Sequence, residues 1–90
     1  MLEANVKVVN SLGLHARAAA QLVRLAARFR STITIKREDS GAFANAKSIL
    51  SVLALAAPIG TTLLIEIDGD DEQEACDAIV GIFAAGFGEL

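Results

Sequence analysis

The sequence predicts an α+β domain with one β-sheet covered by helices on one side, in the order β-α-β-β-α-β-α. Three observations predict it. Four short stretches alternate apolar and polar residues, three others repeat apolar residues at helical spacing, and turn-forming residues separate them. Each strand has a single apolar face, so the sheet needs cover on one side only, and the apolar helix stripes supply it.

Leu2 to Val9 sets Leu2, Ala4, Val6 and Val8 on one side and Glu3, Asn5 and Lys7 on the other, a half-buried strand. Asn10-Ser11-Leu12-Gly13 reads as a loop. From Ala16 to Phe29 the period lengthens. Ala19, Leu22, Ala26 and Phe29 form one stripe, and Arg17, Gln21, Arg24 and Arg28 form the opposite one. Ser31 to Arg37 is the second strand, with Ile33 and Ile35 inward and β-branched residues throughout. Glu38 to Gly41 is a tight turn into a short strand around Ala42 to Ala44. Ala46 to Ala56 reads as a short helix, closed by Pro58 and Gly60. Thr61 to Asp68 turns Leu63, Ile65 and Ile67 to one face. Asp71 to about Ala85 is the last helix, with Ala75, Cys76, Ile79, Val80 and Phe83 inward. Its acidic first turn suits the positive helix end, and Gly86 and Gly88 stop it.

Ninety residues leave room for one small core, and 53% hydrophobic residues are enough to fill it. The chain has no Trp or Tyr and a net charge of −3, which argues against a nucleic-acid partner. No acid lies between Ala4 and Arg37, whereas seven Lys and Arg do: Lys7, Arg17, Arg24, Arg28, Arg30, Lys36 and Arg37. Acid gathers later, from Glu66 to Asp77. This basic half is either a set of solvated helix faces or a surface that steers an acidic partner. Cys76 is alone, so no internal disulfide is expected, and its apolar setting predicts a buried core residue. The longest apolar run, Val52 to Ile59, is too short to span a bilayer and contains Pro58. No basic start precedes an apolar block at the N-terminus, so a soluble cytoplasmic protein is the expectation. With one histidine and no ligand cluster, neither a metal nor another cofactor is expected.

Chemistry concentrates at Gly13-Leu14-His15-Ala16-Arg17, where a strand-like stretch gives way to a helical one. Gly13 permits a sharp entry. His15 falls near the N-cap, where one ring nitrogen can point along the open N–H groups of Ala16 and Arg17. The positive helix end and Arg17 oppose protonation of the ring and favour a neutral, nucleophilic imidazole. The same groups would then stabilise a phosphoryl group carried on the ring. No acid nearby in sequence competes for Arg17. The competing reading is a surface histidine that merely caps a helix.

Three stretches add to this. Gly13 to Arg17 resembles the active-site signature of the HPr family, the histidine-containing phosphocarriers of the bacterial phosphoenolpyruvate-dependent phosphotransferase system. Asn45-Ala46-Lys47-Ser48-Ile49-Leu50 resembles that family's regulatory serine site, and Ala85-Gly86-Phe87-Gly88-Glu89 its C-terminus. The resemblance spans essentially the whole chain. It implies an open-faced β-sandwich, a four-stranded antiparallel sheet with three helices on one face. It also implies that His15 takes a phosphoryl group on Nδ1 from enzyme I and passes it to an enzyme IIA, with Arg17 positioning it. Ser48 becomes a candidate target of HPr kinase/phosphorylase. The family commonly has proline where this chain has Ala18, which predicts a looser helix entry and unchanged chemistry. Ser51 stands where glycine is frequent, and the sequence offers no reason.

The second helix is too apolar to bury every side chain against one sheet. An exposed stripe, from the Ile49 and Val52 pair or the Leu50 and Leu53 pair, is predicted as a docking patch bordered by Arg17, Arg24 and Lys47. A monomer is expected, because shuttling between partners needs an open face. Three rivals remain: the nitrogen-branch paralogue, a small regulatory or ligand-binding domain with a surface histidine, and a regulatory relative working through Ser48 alone.

Overall fold

A computed structural model describes residues 1–90. The period-two stretches become four strands: β1 (Leu2–Lys7), β2 (Thr32–Arg37), β3 (Phe43–Asn45) and β4 (Thr62–Asp68). The helices are α1 (Ala16–Ala26), α2 (Ile49–Ala54) and α3 (Glu72–Ala84), followed by a 3₁₀ turn at Gly86–Gly88. The element order is the one the sequence predicts.

The strands form one antiparallel sheet in the order β1-β4-β2-β3. Register aligns the apolar alternation across it: Ile33 lies opposite Ile67, and Ile35 lies opposite both Ile65 and Ala44. On the other side of β4, Val6 lies opposite Leu63. These side chains share one face and meet Ala19, Leu22 and Ala26 of α1, Val52 of α2, and Ala75, Ile79 and Phe83 of α3 in a single buried cluster. The result is a four-stranded sheet with three helices on one face. No helix is long and apolar enough to cross a membrane.

Helix lengths depart from the sequence reading for local reasons. α1 stops at Ala26 rather than Phe29, because the next amides tighten: Arg28 donates to the Leu25 carbonyl and Phe29 to that of Ala26. α2 starts at Ile49 rather than Ala46, because Asn45 Oδ1 accepts the Lys47 amide and holds a turn there. It ends at Ala54, where Arg37 donates to the carbonyls of Leu55 and Ala56. Cys76 corrects an expectation. It is only half-buried at the edge of the core, and partial desolvation raises its thiol pKa.

One carboxylate joins the two ends of the core. Asp71, at the N-cap of α3, accepts from the Arg30 amide at 2.9 Å, the Ser31 amide at 3.0 Å and the Ser31 hydroxyl. Ser31 is fully buried. The Ser31 hydroxyl, then the Arg30 and Ser31 amides, hold the Asp71 carboxyl below its ordinary value of 3.8. A depressed folded-state pKa means stability that is present above the unfolded value and lost as pH falls through the folded one. Urea midpoints should therefore drop as pH falls below about 4. Asp71→Asn should start lower at neutral pH and show a shallower acid decline. Parallel pH profiles for the two proteins would disprove the linkage.

Candidate functional site

Val8 and Asn10 continue the inward alternation of β1, and Asn10 is completely buried. The chain then turns. The Gly13 amide donates to the Asn10 carbonyl at 3.0 Å, and the Leu14 amide donates to the Ala57 carbonyl at 3.0 Å. Gly13 takes a left-handed φ of 68°, and a Cβ there would lie 2.6 Å from the Ala57 carbonyl oxygen. Only glycine fits this crossing without strain. The turn delivers His15 to the N-cap of α1 in an extended conformation, φ −73° and ψ 178°. The buried side chains of Ala18, Ala19 and Leu22 fix the helix behind it. The amides of Ala16, Arg17 and Ala18 have no helical carbonyl to bond.

A fourth participant comes from the other end of the chain. After α3, Gly86, Phe87 and Gly88 all have positive φ, at 57°, 56° and 75°. Phe87 is 3% exposed, and its ring meets that of Phe83 edge-on at 5.1 Å. This left-handed turn, anchored by a buried aromatic, carries Glu89 back over the start of α1. Glu89 Oε2 lies 2.6 Å from His15 Nε2 and accepts from the Arg17 guanidinium at 3.2 Å. Glu89 Oε1 accepts from Asn10 Nδ2 at 2.9 Å. The second Asn10 Nδ2 proton goes to the Gly13 carbonyl at 2.8 Å, leaving buried Asn10 Oδ1 without a partner. Both neighbours of Nδ2 are acceptors, so the amide orientation is fixed by chemistry. The Asn10 bond first, then those from His15 and Arg17, hold the Glu89 carboxyl below its usual value.

His15 and Arg17 thus come together as the sequence predicts, with two corrections. The ring makes no capping bond to the α1 amides and turns Nε2 to Glu89 instead. Arg17 is paired with an acid, so the surroundings of the ring are of mixed charge rather than purely positive. Nδ1 makes no hydrogen bond within the chain and is not among the sealed atoms. The His15 side chain is 25% exposed, so a reacting group can reach it. Asn10 and Glu89 were not singled out from sequence. Asn10 carried one signal: a polar residue on the inward side of an alternating strand. Glu89 carried none beyond its place after a glycine-flanked Phe. No cluster of His, Cys, Asp or Glu is placed to hold a metal ion.

The second predicted site is partly assembled. Ser48 is the N-cap of α2, its hydroxyl oxygen accepting the Ser51 amide at 3.4 Å. Ser51, unexplained from sequence, also accepts the Asn45 amide on its own hydroxyl and so ties α2 to β3. Leu50 is 77% exposed and Ile49 is exposed beside it, while Val52 is buried. Arg24 is exposed on α1, which packs against α2. Two of the predicted docking residues are less open than the sequence suggests. Lys47 is half-buried and donates through Nζ to the Phe29 carbonyl at 2.7 Å, so it closes the end of α1 rather than reaching outward. Leu53 is half-buried against the core. A helix this short offers one outward stripe, and Leu50 occupies it.

Comparison with known proteins gives a consistent result. A family model described as the PTS HPr component phosphorylation site matches residues 2–85. The phosphocarrier protein HPr of Cupriavidus necator is 48% identical over 89 residues, covering 99% of this chain and 98% of that one. The phosphocarrier protein NPr of Proteus mirabilis is 42% identical over 84 residues, covering 93% and 92%. The crystal structure of HPr-C-His from Thermoanaerobacter tengcongensis superimposes with a TM-score of 0.93 at 37% identity, covering 100% and 99%.

Proposed function

The chain belongs to the PTS HPr family of phosphocarriers, and we propose that it accepts a phosphoryl group on Nδ1 of His15 from enzyme I and hands it to an enzyme IIA. The observation that carries this reading is the placement of the ring. His15 stands at the N-cap of α1 with Nε2 engaged and Nδ1 unpartnered, beside unpaired helix amides and Arg17. In the transfer, the Nδ1 lone pair forms the new N–P bond while the bond from phosphorus to the donor breaks and its electrons leave with the donor. The phosphoryl oxygens meet positive surroundings, because the unpaired amides at the start of α1 are already in place and Arg17 lies within reach to turn toward them. Onward transfer runs the same step in reverse with a new acceptor.

Incubation with enzyme I and labelled phosphoenolpyruvate tests this directly. Acid-labile, alkali-stable label should appear on the wild-type chain and vanish in His15→Ala. Arg17→Ala should fold normally and transfer roughly 10- to 100-fold more slowly, the loss of one charge-assisted bond to the transferring group. Label that survives in His15→Ala would end the reading.

The partner face is proposed to be Leu50 and Ile49 flanked by Arg17 and Arg24, an apolar centre with a basic rim suited to an acidic partner. Ser48 lies at its edge, and HPr kinase/phosphorylase is its proposed modifier. A phosphate there would add nearly two negative charges beside the face and weaken docking. Leu50→Glu and Ser48→Asp should both slow transfer from enzyme I while leaving the melting temperature nearly unchanged, and such a kinase with ATP should label Ser48. Wild-type transfer rates in both variants, or label on another residue, would remove this part. The protein is proposed to act in the cytoplasm as a monomer with this face free. The similarity to an NPr keeps the nitrogen-branch relay as the second reading, decided by which enzyme I loads the chain faster.

A further inference from the structure

We propose that Glu89, held by the buried Asn10, fixes His15 as the tautomer with its proton on Nε2, so that Nδ1 is loaded and unloaded with phosphate without any proton leaving the site. The inference rests on the carrier reading of His15.

A carboxylate is an acceptor only, so the ring nitrogen 2.6 Å from Glu89 Oε2 must bring the hydrogen. In a neutral imidazole that leaves the lone pair on Nδ1, the nitrogen with no partner in the chain. The carboxylate is itself held at three points: Asn10 Nδ2 on Oε1, and His15 and Arg17 on Oε2. Asn10 cannot swing away. It is fully buried, and its other Nδ2 proton is committed to the Gly13 carbonyl, in the turn that sets His15. Asn10 Oδ1, also buried, makes no hydrogen bond within the chain.

The electron count closes. As Nδ1 forms its bond to phosphorus, the ring keeps the Nε2 proton and becomes cationic. Glu89, an anion in contact with that proton, balances the new charge. When the phosphoryl group moves on, the N–P electrons return to Nδ1 and the neutral tautomer is restored. Retaining the Nε2 proton also makes the ring a better leaving group. The charged side chains at the ring are Glu89 from the tail and Arg17 from α1. Arg17 can therefore turn from Glu89 to the phosphoryl oxygens while Glu89 stays with the ring. Asn10 and Glu89 are positioning residues, since neither touches the transferring group.

Ring ¹⁵N spectra of the intact protein, taken where His15 is neutral, test this. Wild type should show Nε2 protonated and Nδ1 bare. Glu89→Ala and Glu89→Gln should give mixed tautomers, since Ala makes no bond and Gln can donate as well as accept. Asn10→Ala should move the same way by a smaller amount. Backbone amide spectra confirm that each variant is folded. Unloading to an acceptor should slow roughly tenfold in Glu89→Gln. A wild-type tautomer ratio in both Glu89 variants would overturn the proposal. Loading of His15 by enzyme I in those same variants would still stand, so the two readings fail separately.

Discussion

Gly13→Ala should cost about 2–5 kcal/mol and displace the histidine it precedes. Two terms add. A residue with a Cβ held at a left-handed φ loses about 1–2 kcal/mol, and Gly13 sits at 68°. The added methyl would also lie 2.6 Å from the Ala57 carbonyl oxygen and 3.0 Å from Pro58 Cα. Both are backbone atoms, so no rotamer change relieves the contact, and overpacking of this kind costs about 1–3 kcal/mol. The easiest escape is to push the turn away from Ala57, which breaks the bond from the Leu14 amide to that carbonyl. That bond seats the start of α1. Moving His15 by about 1 Å is enough to slow transfer on the order of 100-fold. The variant should therefore unfold at a clearly lower urea concentration and load phosphate slowly even at temperatures where it is folded. A midpoint unchanged from wild type would mean that the close crossing at Ala57 does not constrain the turn.

The sheet and helices were legible because burial repeats locally. Ile33 and Ile35 need no knowledge of β4 to announce an inward face, and Leu22 and Ala26 announce a helical stripe by themselves. Boundaries were less legible, because they depend on who meets whom. Phe29 fits the α1 stripe, yet the chain tightens there and its carbonyl receives Lys47 from 18 residues away. A lysine beside a helix start reads as solvent-facing in sequence, because its acceptor, the Phe29 carbonyl, belongs to another element. Cys76 sits on an apolar stripe whose edge, not its centre, it occupies.

The site divides along the same line. His15 and Arg17 are two residues apart at a strand-to-helix junction, and sequence alone pairs them. Glu89 reaches His15 across 74 residues and Asn10 across 79. No periodicity encodes such a contact. Local sequence therefore shows Arg17 without an acid and the ring beside helix amides, because the carboxylate that meets both lies at the far end of the chain. Asn10 was the readable part. Its place two residues beyond Val8 put an amide where an apolar side chain belonged, and such a residue needs partners.

Phe87→Ala should cost about 3–5 kcal/mol, the range for removing a buried aromatic side chain, and its effect on transfer should equal that of removing Glu89. The ring is 3% exposed and meets Phe83 edge-on, an arrangement that contributes about 0.5–1.5 kcal/mol beyond burial. The φ of 56° changes nothing in the comparison, because alanine tolerates it no better than phenylalanine. Between α3 and Glu89 no other apolar side chain is buried, so without the ring only the polar bonds of Glu89 itself hold the turn, and they do not offset the lost burial. Glu89 would then leave His15 and Arg17. Stability alone cannot identify this coupling, since any core truncation lowers it. A double-mutant cycle on transfer rate can. Phe87→Ala combined with Glu89→Ala should be no slower than the slower single variant, because both remove the same carboxylate from the same ring. Full additivity of the two losses would show that Phe87 supports the fold without placing Glu89.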